Sequence, residues 1–432
     1  MRRRKTWKTF GILALLGLVM SWAISSCSPN ASTQSNPSAS GTAEVEFWTM
    51  QLQPQFTDYF NQLIAQFESE NPGVTVRWVD VPWGDMQSRI LTAVSAGTAP
   101  DVVNLNPDFA AQLAGRNAWL ELDDRISEGD RQAYLPNIWQ ANTLDGKTFG
   151  LPWYLTTNVT IYNQDLLEQA GIDEPPTTYE ELAQAAQQIR ERTGKYAFFK
   201  TFVPEDSAEV LQSFVQMGAE LIDEQGNAAF DSPEGRAVFQ YWTDLYQEGL
   251  MPREALTQGH RRAIELYQAG ELAFLTTGPQ FLETVRTNAP AIAEVSETAD
   301  QISGSTGKKN VAVMNVVIPR NTDQPDAAVD FALFLTNDTN QLEFAKAANV
   351  LPSTVAAAQD SYFTEVSADA STLEKARSVS ARQLQDAEVL LPTIKDIKEL
   401  QKIVYDNLQG AMLGEKTVEQ AVEDAAAEWN ER

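Results

Sequence analysis

VEFWTMQLQPQFTDYFNQLIAQFESENPGVTVRWVDVPWGDMQSRILTAVSAGTAPDVVNL, residues 45–105, decides the fold. Val45-Glu46-Phe47-Trp48 is strand-like, Phe56 to Glu70 sets Phe56, Tyr59, Phe60, Leu63, Ile64 and Phe67 at helical spacing, and Val74 to Val79 alternates again. Asn71-Pro72-Gly73 breaks the chain between helix and strand. A second helix is predicted from Trp83 to Ala96, ending at Gly97, ahead of the buried strand candidate Asp101-Val102-Val103-Asn104-Leu105. This βαβαβ order predicts an α/β protein with a mostly parallel, doubly wound sheet, whose ligands sit outside the carboxyl ends of the strands.

Further along, a second block of the same kind is expected. Asn158 to Tyr162 reads as a strand, Pro175-Pro176 punctuates the chain, Tyr179 to Arg192 is a helix opened by Thr177 or Thr178, and Ala208 to Gly218 is another. Leu272 to Thr277 and Val311 to Ile318 are β-like, each followed closely by proline (Pro279, Pro319). From Gln324 the chain is mainly helical, with amphipathic stretches such as Val418 to Trp429. There is no repeat of solenoid length. About 400 residues exceed what one core usually serves, so two lobes are expected.

Ahead of this body lies a basic start (Arg2, Arg3, Arg4, Lys5, Lys8), an apolar run from Phe10 to Ile24, and Ser25-Ser26 before Cys27, the sole cysteine. The apolar run is too short to span a membrane stably, and small residues before the thiol admit a lipoprotein peptidase. Residues 1–26 therefore read as a lipoprotein signal peptide, with Cys27 the lipidation site; a buried cytosolic cysteine would leave that order a coincidence. Residues 28–42, SPNASTQSNPSASGT, hold no aliphatic larger than Ala, so 27–42 reads as an acylated cysteine and flexible linker. Fully stretched, it reaches about 50 Å. The expected location is the periplasmic or extracellular face of a bacterial membrane, held by the lipid anchor only.

Loss of residues 1–26 removes five of the 32 Lys+Arg and no acid, leaving 27 against 59 Asp+Glu, a net charge of −32. Such a surface repels nucleic acid and excludes it as a partner. With one cysteine there is no intramolecular disulfide, and with His260 the only histidine a structural zinc is not expected. No metal site and no cofactor are predicted. No Gly-x-Ser-x-Gly elbow, Walker loop or His-Glu-x-x-His is present, and 59 acidic residues give no means of choosing a glycosidase pair. His260, in Gly259-His260-Arg261-Arg262 at a helix start, reads as an exposed polar residue, so no catalytic residue is assigned and the chain is not expected to be an enzyme.

Binding has more support. Six of the eight tryptophans after residue 26 lie between 45 and 155: Trp48, Trp78, Trp83, Trp119, Trp139 and Trp153. Sugar rings have apolar C–H faces and polar rims, so a site for them pairs flat aromatic surfaces with amides and carboxylates. Trp48-Thr49-Met50-Gln51, Asn104-Leu105-Asn106-Pro107-Asp108 and Trp153-Tyr154 combine those elements beside predicted strands. Trp78, Trp119 and Trp139 sit in apolar context and read as core.

The ordered segments FW (47–48), NPGVTV (71–76), VPW (81–83), SAGTAPDVV (95–103), GLPW (150–153), IYNQDLLEQAG (161–171), PPTTYEEL (175–182) and TTGP (276–279) resemble the family 1 extracellular solute-binding proteins of ABC importers. The likeness covers about residues 44–432 and is similar to maltose- and maltodextrin-binding proteins. It implies two doubly wound α/β lobes joined by a multi-crossover hinge, the periplasmic binding protein-like type II arrangement. The implied lobes are 43–154 plus 313–360 and 155–312 plus 361–432. A monomer would close over a sugar or oligosaccharide and present it to ABC transporter permease subunits.

Carried onto this sequence, the resemblance places at the cleft Trp48 and Gln51, then Trp83 and Asp85, then Asn104, Asn106 and Asp108. The crossover adds Trp153 and Tyr154, and the second lobe Asp206. After Gly278-Pro279, where many relatives carry a stacking Trp, stand Gln280 and Phe281; where a Gly-Gly-Trp is frequent, this chain has Val313-Met314-Asn315-Val316, with Asn315 at the site. On this reading Trp153→Ala weakens sugar binding tenfold or more. The rivals are a glycerol-3-phosphate or phosphodiester receptor of the same fold, which needs a cationic pocket that the proposed loops do not offer, and a secreted glycoside hydrolase.

Overall fold

The computed structural model describes residues 42–432, except Thr393, Lys395 and the side chain of Asp108. The signal peptide, Cys27 and all but the last residue of the linker lie outside the described residues. Among the described residues no helix is long and apolar enough to cross a membrane.

Ala43–Met50 pairs in parallel with Val74–Val81 on one side and Val102–Leu105 on the other, the βαβαβ unit expected from residues 45–105. Each intervening helix turns one apolar face to the sheet. Thr57–Glu70 buries Phe60, Leu63, Ile64 and Phe67, and Trp83–Ala96 buries Met86, Ile90 and Ala93 before Gly97 ends it in the left-handed region at φ 69°. Because both sheet faces are covered, alternate residues of the first strand enter different cores. Val45 and Phe47 join Phe60, Phe67 and Phe331; Trp48 and Met50 join Met86, Ile90 and Val103.

Beyond this unit the sheet becomes antiparallel. Its order is Leu351–Pro352, Leu151–Thr157, Lys309–Val317, Val102–Leu105, Ala43–Met50, Val74–Val81, with Ala387–Glu388 pairing the start of Lys309–Val317. Lys309–Val317 runs antiparallel to both neighbours because it re-enters the sheet from the second lobe, opposite to the outgoing Leu151–Thr157. The second lobe differs from a repeat of the first unit. Val159–Asn163 lies between Phe274–Thr277 and Ser296–Asp300 and is antiparallel to both. Helices supply most of its core, including Leu182, Ile189, Phe214, Trp242 and Tyr405. Thr178, not Thr177, caps Tyr179–Thr193 in a capping box with Glu181.

Among the described residues three crossings join the lobes, and amides tie them together. Gln383 Nε2 donates to the Asn158 carbonyl (3.1 Å) and Gln383 Oε1 accepts from Gln301 N (2.8 Å). The Gln301 side chain bonds Asn310 N and O, while Thr157 Oγ1 meets Ser380 Oγ at 2.7 Å. The tail is shared between cores: Phe363, Leu384 and Ala387 pack with the large sheet, and Leu400, Tyr405 and Trp429 with the second lobe.

Candidate binding cleft

A cleft of about 710 Å³ runs between the lobes, beyond the carboxyl ends of Val74–Val81 and Val102–Leu105. The first lobe contributes Trp83, Gln87, Asn106 and Phe109; the second contributes Pro204 to Ala208 and Gln212; the crossings form its floor.

Of the residues singled out by sequence, four line this cleft: Trp83, Asn106, Asp206 and Asn315. Trp83 opens its helix behind Pro82, so its ring stands clear of the sheet and is 47% exposed. Asn106 caps Pro107–Ala114, its Oδ1 accepting from Phe109 N at 2.9 Å, which fixes the amide at the rim. Asp206 Oδ1 accepts from His260 N at 2.9 Å, holding the carboxylate on the second-lobe wall. Asn315 sits just past an irregularity in the pairing of Lys309–Val317 and donates from Nδ2 to the Val313 carbonyl (3.0 Å).

Two more act from behind. Asn104 is fully buried and donates to the Asn315 carbonyl at 3.3 Å. Gln51, exposed and at φ 54°, lies outside the lining, but its Oε1 accepts from Trp83 N at 3.3 Å and so braces the tryptophan. Asp80, which the sequence reading passed over, organises that loop. Its carboxylate accepts from Thr49 Oγ1, Leu52 N and Gln53 N at 2.7–3.1 Å.

The remaining assignments require correction. Trp48 is inside the first lobe, its Nε1 donating to Glu46 Oε1 (2.6 Å) and the Arg89 guanidinium 4.4 Å over its ring. Trp153 is 0% exposed and stacks on Phe344 at 4.9 Å, so no ligand reaches it. Tyr154 packs edge-on to Trp153 at 5.0 Å, and burial raises its phenol well above the usual range. Asp85 is exposed in the first turn of its helix, away from the lining. Gln280 and Phe281 are also absent from the lining. Phe281 packs on the second-lobe core, edge-on to the His260 ring at 6.4 Å. The side chain of Asp108 lies outside the described residues. Trp119 and Trp139 are core, as their context implied, and half-buried Trp78 packs on Phe60 at 4.7 Å.

Sequence reasoning missed Gln87, Gln212, Phe109 and the aliphatic floor at Val389, Leu391 and Pro392. Gln87 was accessible from spacing, one helical turn beyond Trp83. Nothing local marks 389–392 as cleft, because only the third crossing brings it there. Among the described residues no group of three or more His, Cys, Asp or Glu is placed to hold a metal ion.

The wall therefore offers an exposed indole, several amides and carboxylates, the ammonium groups of Lys398 and Lys402, and an aliphatic floor, a surface suited to holding a polar ligand with an apolar face. Several known proteins resemble this chain in sequence or fold. A Synechococcus sp. MITs9220 periplasmic-binding protein, assigned provisionally to oligosaccharides and solved with and without zinc, is 46% identical in its zinc complex. That match covers 90% of this chain and 98% of the other, with a TM-score of 0.84. The arabinooligosaccharide-binding protein of Halalkalibacterium halodurans is 26% identical over 306 residues, 68% of this chain and 67% of its own. The maltose-bound MalE3 of T. maritima, 22% identical over 90% of this chain and 99% of its own with a TM-score of 0.74, has the same fold. The sequence profile of the bacterial extracellular solute-binding proteins matches residues 53–342, and the chain belongs to that family.

Proposed function

We propose that this protein is the sugar receptor of an ABC importer, a monomer held outside the cytoplasm by lipid on Cys27, which traps a neutral sugar or oligosaccharide between its lobes and hands it to the permease. The observation that carries the reading is the cleft itself, where Trp83 faces a wall of second-lobe polar groups that includes Asp206 and Gln212. A ring stacked on Trp83 exposes its hydroxyls to that wall, and only the closed form contacts both sides. Differential contact of this kind moves an open–closed equilibrium; equal binding to both forms would move nothing. The lobes are divided at the three crossings, near Thr157–Asn158, Lys309–Asn310 and Gln383–Ala387. The chain captures and does not transform its ligand.

The relatives support this reading through the arabinooligosaccharide-binding protein and the Synechococcus neighbour. The arginines nearest the first-lobe site are engaged elsewhere, Arg77 with Glu44 and Glu46 and Arg89 over Trp48; of the two lysines in the lining, Lys402 pairs with Asp406 and Lys398 donates to Gln401. The test is a thermal-shift screen of arabinose-, galactose- and glucose-based oligosaccharides with glycerol 3-phosphate as the rival, followed by calorimetry on the best ligand. A sugar should bind 1:1, and Trp83→Ala should weaken it about tenfold, about 1.4 kcal/mol. Binding of glycerol 3-phosphate alone, or unchanged affinity in Trp83→Ala, contradicts the proposal.

A further inference from the structure

Gln212 faces two cavities. On one side it lines the main cleft; on the other it helps to enclose a pocket of about 30 Å³ with Asn158, Lys200, Glu209, Thr276 and Gln301. The pocket contains a buried ion pair. Lys200 Nζ lies 2.5 Å from Glu209 Oε2, and the two side chains are only 12% and 15% exposed. Asn158, at the first crossing, also bonds the Glu209 carboxylate.

Burying two charges costs several kcal/mol unless the geometry is good, and apolar residues of similar volume often serve stability as well. The apolar part of the pocket's lining is Tyr179, Leu182, Phe198, Phe199 and Ile302 of the second-lobe core. The pair lies behind the polar wall of the cleft, with Glu209 at the first position of Glu209–Gln216 and Gln212 one turn later on the same face. A carboxylate that only accepts, beside an ammonium that only donates, matches a group that does both. A hydroxyl is such a group.

Resting on the sugar-receptor reading, we infer that the Lys200–Glu209 pocket is a specificity subsite that takes one free hydroxyl of the sugar facing the second lobe, which donates to Glu209 and accepts from Lys200. The pair is neutral overall, so the subsite favours an uncharged ring. A sugar in which that hydroxyl is missing or replaced loses the bridge between the two charges and binds more weakly. Gln212 is the residue the hydroxyl passes.

The experiment is calorimetry with the strongest binder among arabinobiose, galactobiose and maltose, with its monodeoxy analogues and an N-acetylated counterpart, on the full chain. The wild type should lose at least tenfold for one deoxy position and for the N-acetylated sugar, since a site built around a hydroxyl discriminates against its absence. In a Lys200→Met/Glu209→Leu double variant, which keeps the volume and leaves no unpaired charge, the penalty at that one position should fall below threefold while the other deoxy penalties persist. Circular dichroism and a cooperative melt establish that the variant folds; if it does not, the alternative apolar pair Lys200→Leu/Glu209→Met supplies the same comparison. A penalty pattern identical in wild type and variants overturns the subsite and leaves the receptor reading intact. No binding of any of the three sugars by the wild type overturns both.

Discussion

Gly259 carries no side chain because Asp206 needs the space: a Cβ built there lies 2.1 Å from Asp206 Oδ2. Gly259→Ala should swing that carboxylate off the second-lobe wall while leaving the core untouched. The expected result is about fivefold weaker sugar binding, equivalent to one hydrogen bond of about 1 kcal/mol, with little change in melting temperature. Trp153 behaves in the opposite way. Its ring lies among Phe47, Phe60 and Phe344, so Trp153→Ala should cost about 3–5 kcal/mol of stability by urea titration, and any variant that folds should retain near-native affinity. This reverses the expectation drawn from the Trp153-Tyr154 dipeptide. A tryptophan beside a strand end looks the same in sequence whether it faces a cleft or a neighbouring helix. Trp83 was legible because Pro82 and the helix start lift it off the sheet. Trp48 was not, because only the three-dimensional sheet shows that both of its faces are covered.

At the level of elements, periodicity carried most of the information. Trp83–Ala96 has the bounds its amphipathic spacing and terminal Gly97 imply, and Val418–Asn430 differs from expectation by one residue. The parallel unit followed from three strand patterns separated by helices. The antiparallel second sheet did not, since strand direction there depends on which lobe the chain is leaving. The helix Glu209–Gln216 carries a further prediction. Burial alone would raise the Glu209 carboxyl, but the Lys200 ammonium, His260 and the bonds from Lys200 and Asn158 outweigh it and hold it below the usual range. Its folded value being depressed, the stability it supplies is complete above the ordinary glutamate range, near pH ~4.3, and is lost as pH falls through the lower folded value. Unfolding free energies of wild type and Glu209→Gln from urea titration should therefore differ at neutral pH by about 3 kcal/mol and converge on acidification. Parallel curves down to pH ~3 would contradict the depressed carboxyl.

For the whole molecule, the family pattern gave the two-lobed fold, but the residues lining the cleft come from both lobes and all three crossings. Such a site is set by long-range chain return and is only half visible in local sequence. Gln301 and Gln383 bond the crossings to one another, so the joint between the lobes is tied and is not a loose linker. Closure about that joint is the central claim. It is tested most directly by small-angle X-ray scattering of the protein with and without the saccharide that binds 1:1 by calorimetry. The radius of gyration should contract on saturation, with the saccharide recovered unchanged. An unaltered radius at full occupancy, or a saccharide converted to product, would contradict the account.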